Sequence, residues 1–202
     1  MEYKALTSDN KGPHSGFDFA PYLPTKRKNG TWKAGKWPPK VEELEMCESG
    51  YHTANSNTII EWLNENIYEV ETRGKKLKGD TKNAFQQIRL IRKCEGWNEK
   101  TARLFACDCA ERVLPIYEKK YNDPRPRNAI NTARLFAEGK ATREELAAAR
   151  DAAWDAAWAA AWDAAGDAAR AAAWDAAWAA AWDAARAAER KWQIKQLKKL
   201  LK

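Results

Sequence analysis

The sequence predicts an α+β protein. A small α+β unit is expected over residues 1–78, a helical domain over 79–140, and a long Ala/Trp-rich helix with a basic end, or a kinked helix pair, over 141–202. Three observations carry this. Short alternating stretches and proline-bounded loops fill the first third. Caps and stop glycines at helical spacing follow from Asp80. A four-residue tryptophan period then runs through alanine for more than forty residues.

In the first unit, Tyr3-Lys4-Ala5-Leu6 reads as a short strand. Gly16-Phe17-Asp18-Phe19 alternates apolar and polar residues as a half-buried strand does. Pro21, Pro24, Pro38 and Pro39 bracket a loop. Leu44-Glu45-Met46-Cys47 is a further strand candidate, ended by Gly50. Asn55 or Ser56 is placed to cap a helix through Asn66. Ile67 to Glu71 alternates again and is expected to stop at Gly74.

Asp80 is expected to cap a helix reaching Cys94, with Gly96 ending it. Asn98 caps the next, which runs to about Tyr121 and meets a kink or break at Pro115. Asp123-Pro124-Arg125-Pro126-Arg127 reads as a stiff linker before a helix over Asn128–Glu138, stopped by Gly139. The hexamer Thr-Ala-Arg-Leu-Phe-Ala occurs at Thr101 and again at Thr132. Two copies are too few for a solenoid, so they read as two helices meeting one core with the same face.

Thr142-Arg143-Glu144-Glu145 is a capping box. Beyond it the period reads Leu146, Arg150, Trp154, Trp158, Trp162, Gly166, Arg170, Trp174, Trp178, Trp182, Arg186, Arg190, with an acid usually following. Alanine fills the rest and makes the helix certain locally. Four residues overshoot a helical turn by about 40°, so the stripe winds around the helix. The second tryptophan triplet falls about 200° from the first. A continuous or kinked helix is favoured over a chain reversal at Gly166–Asp167, where the turn would be very tight. Indoles of roughly 150–250 Å² each must pack, either in the protein's own core or on a second copy or partner. Trp154, Trp158, Trp162, Trp174, Trp178 and Trp182 are therefore the candidate association residues.

The formal net charge is +7 over 202 residues. Arg73–Lys93 and Arg186–Lys202 are strongly basic, while the alanine tract is acidic. The loop from Lys26 to Lys40 is also basic. Lys26, Arg27, Lys28, Lys33 and Lys36, set around Trp32 and Trp37, resemble in composition a single-strand nucleic-acid surface. An ordinary solvated loop has the same composition. Arg125 and Arg127, held by prolines, are candidate anion-binding residues, or else surface ion-pair residues.

The four cysteines lack disulfide-framework or zinc-hook spacing, and only two histidines exist. No metal and no cofactor is expected. Walker, dinucleotide-binding, zinc-protease and nucleophile-elbow motifs are missing from the sequence. Gly50-Tyr51-His52-Thr53 is similar to the nicotinamide-pocket strand of ADP-ribosyltransferases, which makes Tyr51 and His52 candidate pocket residues. A half-buried histidine at a strand end is the alternative. The opening Met1–Gly12 has no apolar stretch, and no run is long enough to span a bilayer. The expected compartment is the cytoplasm.

One segment carries a family resemblance. Cys109-Ala-Glu-Arg-Val-Leu-Pro-Ile-Tyr-Glu-Lys-Lys-Tyr, Arg125-Pro-Arg-Asn-Ala-Ile, Ala137-Glu-Gly and Glu189-Arg-Lys-Trp-Gln-Ile stand around the alanine tract. Together, over about Asn98 to Lys202, they resemble the helical immunity-protein family of bacteria and phages. The resemblance implies protection against a toxin. Cys47-Glu-Ser-Gly-Tyr-His and Tyr68-Glu-Val-Glu-Thr-Arg-Gly resemble a phage domain of unknown function. The combined expectation is a non-enzymatic immunity or counter-defence protein, phage or prophage encoded, that binds a protein partner. The alternatives are a nucleotide- or nucleic-acid-binding protein, an ADP-ribosyltransferase-like enzyme, and a self-assembling structural protein that forms a homo-oligomer through its tryptophans.

Overall fold

The computed structural model describes residues 1–171 and 175–201, and for 160–171 and 175–184 the backbone alone. The fold is α+β. Two compact units form, Met1–Asn98 with Ile194–Lys202, and Glu99–Gln193.

The strands of the first unit are β1 (Glu2–Leu6), β2 (Thr25–Lys26), β3 (Trp32–Lys33), β4 (Tyr51–Asn55), β5 (Asn66–Lys78) and β6 (Asn83–Lys93). β1, β4, β6 and β5 pair antiparallel in that order and close into a barrel through β1–β5. Closure covers both edges of β5 only over residues 66–70, and its 71–78 half pairs with β6 alone. Leu6, Tyr51, Tyr68, Val70, Phe85, Ile88 and Leu90 fill the interior, and Phe19 plugs it. β2 and β3 form a separate hairpin that turns at Gly30, whose φ is +83°.

Several expectations fail here. The segment 80–94, expected as a helix, is strand β6. Period-two alternation puts Ile88 and Leu90 inside and Arg89 outside, facing Glu71 of β5, and a register shift after Leu90 then turns Arg92 outward onto Glu69. Gly96 is not a helix cap. The Leu200 backbone passes so close that a Cβ on Gly96 would stand 2.4 Å from the Leu200 carbonyl oxygen.

The expected helix over 55–66 is a single 3-10 turn, Ile59–Glu61. The side chain of Asn55 accepts from the Asn57 amide and that of Thr58 accepts from the Asn55 amide, tying the chain into a local turn. Phe17 and Phe19 belong to no strand. Their rings meet at 4.9 Å, and Phe17 lies edge-on to Tyr51, as part of the barrel plug. Leu44–Cys47 forms only a bridge, Glu45 to Ser49, because Cys47 takes the left-handed conformation at φ +72°.

Strand β5 also runs beyond its expected stop. Gly74, at φ +83°, sits in a bulge where the pairing register shifts, and the Lys75 amide donates to Gln86 Oε1 at 3.0 Å. The C-terminal segment completes the unit. Leu197 and Leu201 are buried, and Lys198 Nζ donates to Asn57 Oδ1 at 2.7 Å.

The second unit is helical: α1 (Glu99–Glu118), α2 (Arg125–Ala137), α3 (Arg143–Ala171) and the first part of α4 (Asp175–Leu200). α1 runs through Pro115 without ending. α2 begins within the segment expected as a linker. It ends at Gly139, φ +74°, where the Lys140 amide reaches back to the Leu135 carbonyl at 2.8 Å. The capping box forms as its sequence requires: the Glu145 amide donates to Thr142 Oγ1 at 3.1 Å, and the Thr142 amide to Glu145 Oε2 at 2.7 Å.

The repeated hexamers pair across α1 and α2. Arg103 of the first copy stacks on Phe136 of the second, at 4.8 Å. Arg134 of the second copy donates to Asp108 and Glu111 of α1, each at 2.6 Å. α3 stays helical through Gly166, so the chain does not reverse there.

Candidate functional site

Two features stand out, a tryptophan face on α3 and a cleft beside the barrel. α3 packs on α2. Ala156 is fully buried, with half-buried Ala149, Ala152 and Ala153 at the spacing of one helix face. Trp154 and Trp158 flank Ala156 by two residues and so point about 200° away from it. They remain 66% and 53% exposed. The small side chains make the helix contact and the large ones are left outside it. Arg150 is exposed one turn before Trp154. The side chains of Trp162, Trp178 and Trp182, and all of Trp174, lie outside the described residues.

The cleft has a volume of about 730 Å³ and is walled by β1, β4, the loop around Pro13 and the turn after Ile59. His52 lines it. Tyr51, the other candidate of that strand, does not, because alternation along β4 turns it into the barrel core, where its hydroxyl donates to the Pro39 carbonyl at 2.8 Å. His52 Nε2 accepts the Cys47 backbone amide at 3.0 Å, which pins the left-handed turn at Cys47. Burial, then the charges of Lys4 and Lys82, lower the His52 pKa, while a backbone hydrogen bond with Gly50 opposes them. The ring is thus held neutral and tied to backbone, an arrangement suited to fixing a loop.

Sequence reasoning missed Lys4 and Lys82. Lys4 shares a face of β1 with Leu6, so it enters the barrel end, and its Nζ donates to the His52 carbonyl at 2.9 Å. Burial, then Lys82, lowers its pKa to about 8. Lys82 lies over the Trp62 ring at 4.4 Å, and His14 meets Trp62 edge-on at 6.0 Å. A lysine on the inward face of a strand was the available signal, but it needs the register of β1 to be read.

The basic loop is the β2–β3 hairpin and the strap after it. Lys26 pairs with Glu95 at 2.6 Å and lies over Trp32. Arg27, Lys28, Lys33 and Lys36 are exposed and make no ion pair among the described residues. Trp37 is flanked by Arg73 and Arg89, at 5.9 and 5.0 Å. The strap is fastened along β6 by Gly35 and Val41 amides donating to Leu90 and Gln86, with Pro38 fully buried.

Arg125 and Arg127 each hold a carboxylate of their own chain. Arg125 grips Asp123 through Nε and Nη2, and Arg127 grips both Glu118 oxygens at 2.6 Å. These hydrogen bonds lower the pKa of Asp123 and Glu118.

All four cysteines are free thiols, and burial raises Cys94 and Cys109 to about 11 each. No cluster of metal-ligating side chains occurs among the described residues. No described helix is long and apolar enough to cross a membrane.

Residues 92–185 match the family model described as "Imm-5 like putative immunity protein". The matched stretch holds α1, α2, α3 and the start of α4. No curated protein and no solved structure matches the chain.

Proposed function

We propose that this chain, an immunity-type protein by the domain at residues 92–185, acts without catalysis by binding a protein partner through the tryptophan face of α3. The carrying observation is the exposure of Trp154 and Trp158 on a helix that packs through its alanines. Two adjacent indoles held rigidly by a helix offer a large apolar contact at little entropic cost, which is the chemistry of a binding hot spot. Asp151 and Asp155, on either side of Trp154, keep the surroundings polar. In this reading the protein works in the cytoplasm, in an immunity or counter-defence role encoded by a phage or prophage.

The test is solution mass by light scattering and thermal melting, on wild type and on the double variant W154A/W158A. A dimer lost in a fully folded variant makes the occupant a second copy, as in the homo-oligomer reading. A monomer whose variant melts at the same temperature leaves the face open to a different protein. A variant that melts far lower overturns the reading, because the indoles then belong to the protein's own core.

A second reading is supported by the β2–β3 hairpin. Arg27, Lys28, Lys33 and Lys36 stand unpaired there, as a surface for nucleic-acid phosphates would require. Binding of a single-stranded oligonucleotide that weakens steeply with salt, and less steeply in a variant lacking these four charges, supports it. Salt-independent binding or none removes it.

A further inference from the structure

We propose that the cleft between β1, β4 and the Pro13 loop binds a small organic anion with a ring body, its carboxylate or phosphate held by Lys4 and Lys82. This site is separate from the tryptophan face and rests on none of the arguments for it.

The first ground is charge placed without an answering charge. Lys4 reaches into the barrel end, where one ammonium proton is used by the His52 carbonyl. An ammonium carries three donors; this one also lies over the Phe19 ring at 5.6 Å, and no other acceptor among the described residues takes its remaining protons. Neither Lys4 nor Lys82 has an ion-pairing carboxylate among the described residues. The nearby inward acid, Glu2, is committed elsewhere. Thr53 Oγ1 and Asn83 Nδ2 donate to it at 2.7 and 2.9 Å, and Lys76 faces it at 3.9 Å. Glu48 and Glu61 also line the cleft, but both are exposed. A half-buried amine without a carboxylate lowers stability, and the drop of its pKa to about 8 goes with that cost. An incoming anion removes it.

The second ground is shape. A volume of about 730 Å³ falls within the usual range of small-molecule sites. The walls carry an apolar and aromatic part, Pro13, Ile59, Leu63 and the ring of Trp62 with His14 at its edge, beside polar groups such as Ser15, Thr53 and Asn64. Trp62 is fixed by its indole N–H, which donates to the Thr81 carbonyl at 3.2 Å. A rigid ring wall beside two cations fits a planar body with one anionic head. It does not suit a highly charged polyanion, because Glu48 and Glu61 would repel one.

The experiment is calorimetric titration of the full chain with two anions and their neutral counterparts. Indole-3-acetate is paired with indole-3-ethanol, and adenosine monophosphate with adenosine. The expected result is saturable one-to-one binding of at least one anion, at least tenfold tighter than its neutral counterpart. Lys82→Gln and Lys4→Met should each weaken it at least tenfold with the circular dichroism spectrum unchanged. Binding of the carboxylate alone or the phosphate alone supports the site and identifies the head group. Lys82→Gln lies outside the strands and decides by itself where Lys4→Met alters the barrel. No anion binding at low-millimolar concentration, or equal binding of anion and neutral counterpart, overturns the proposal.

Discussion

The two units treat their large apolar side chains in opposite ways. The barrel places Phe19, Tyr51, Phe85, Ile88 and Leu90 inside and, apart from Glu2 and Lys4 at its end, leaves charge such as Arg89 and Glu71 on its outer faces. The helical unit buries Phe105, Cys107, Leu114 and Ala156 among its described residues, while α2 buries none fully. Its helices are tied instead by arginine–carboxylate pairs such as Arg127–Glu118, Arg134–Asp108 and Arg112–Glu189. Of its three tryptophans with described side chains, Trp154 and Trp158 face outward, while Trp192 is half-buried with the Arg112 guanidinium over its ring at 4.2 Å. A closed sheet has one inside, and alternation fills it. A long alanine helix can pack closely through small residues, which frees its opposite face for something else.

That contrast can be broken by substitution. The largest effect is expected in the barrel: Leu6→Ala, at a fully buried site, should cost about 2–5 kcal/mol in urea unfolding. A smaller loss would mean that the barrel is not the stable part of the molecule. Gly96→Ala comes next, at roughly 1–3 kcal/mol, because its Cβ meets the Leu200 backbone, which cannot swing aside as a flexible side chain would. Faster proteolysis of the last nine residues should accompany it. An unchanged melting temperature would show that the C-terminal segment is not held there.

Lys4→Met should act in the other direction and depend on pH. The Lys4 amine titrates near 8 in the fold, against an ordinary 10.5. Between those values the unfolded chain carries the extra proton, so the lysine's penalty shrinks as pH rises. The variant should therefore melt higher than wild type at pH 7, and the gain should fade as pH approaches 10. A gain constant with pH would assign the effect to packing and not to charge. The smallest effect belongs to Trp158→Ala, within about 0.5 kcal/mol, as for a surface position. A loss like that of Leu6→Ala would erase the distinction between the units.

The expectations that held were those with local causes. Strand β1, the helices α1 to α3, the Thr142 capping box and the Gly139 stop all follow from caps, period and turn chemistry within a few residues of each other. The exposed basic residues of the Lys26–Lys36 hairpin were legible from composition. The cleft was half legible. His52 was singled out with Tyr51 although alternation sends their side chains to opposite faces, and Lys4 and Lys82 were passed over because nothing local marks them. The segment 80–94 was misread because an Asp before it and a Gly after it resemble helix caps. Its pairing partners lie on β4 and β5, far away in sequence.

Sequence by itself determined the α+β class, the immunity-family resemblance, the alanine helix and the tryptophan period, since each is written in consecutive residues. Tertiary structure alone decided that the strands close into a barrel, that Gly96 lies against the C-terminal segment, that Lys4 enters a cleft, and that alanines rather than Trp154 and Trp158 pack α3. Those outcomes depend on which distant chain segments come into contact, and side-chain identity acquires its energetic sign only after the neighbours are fixed.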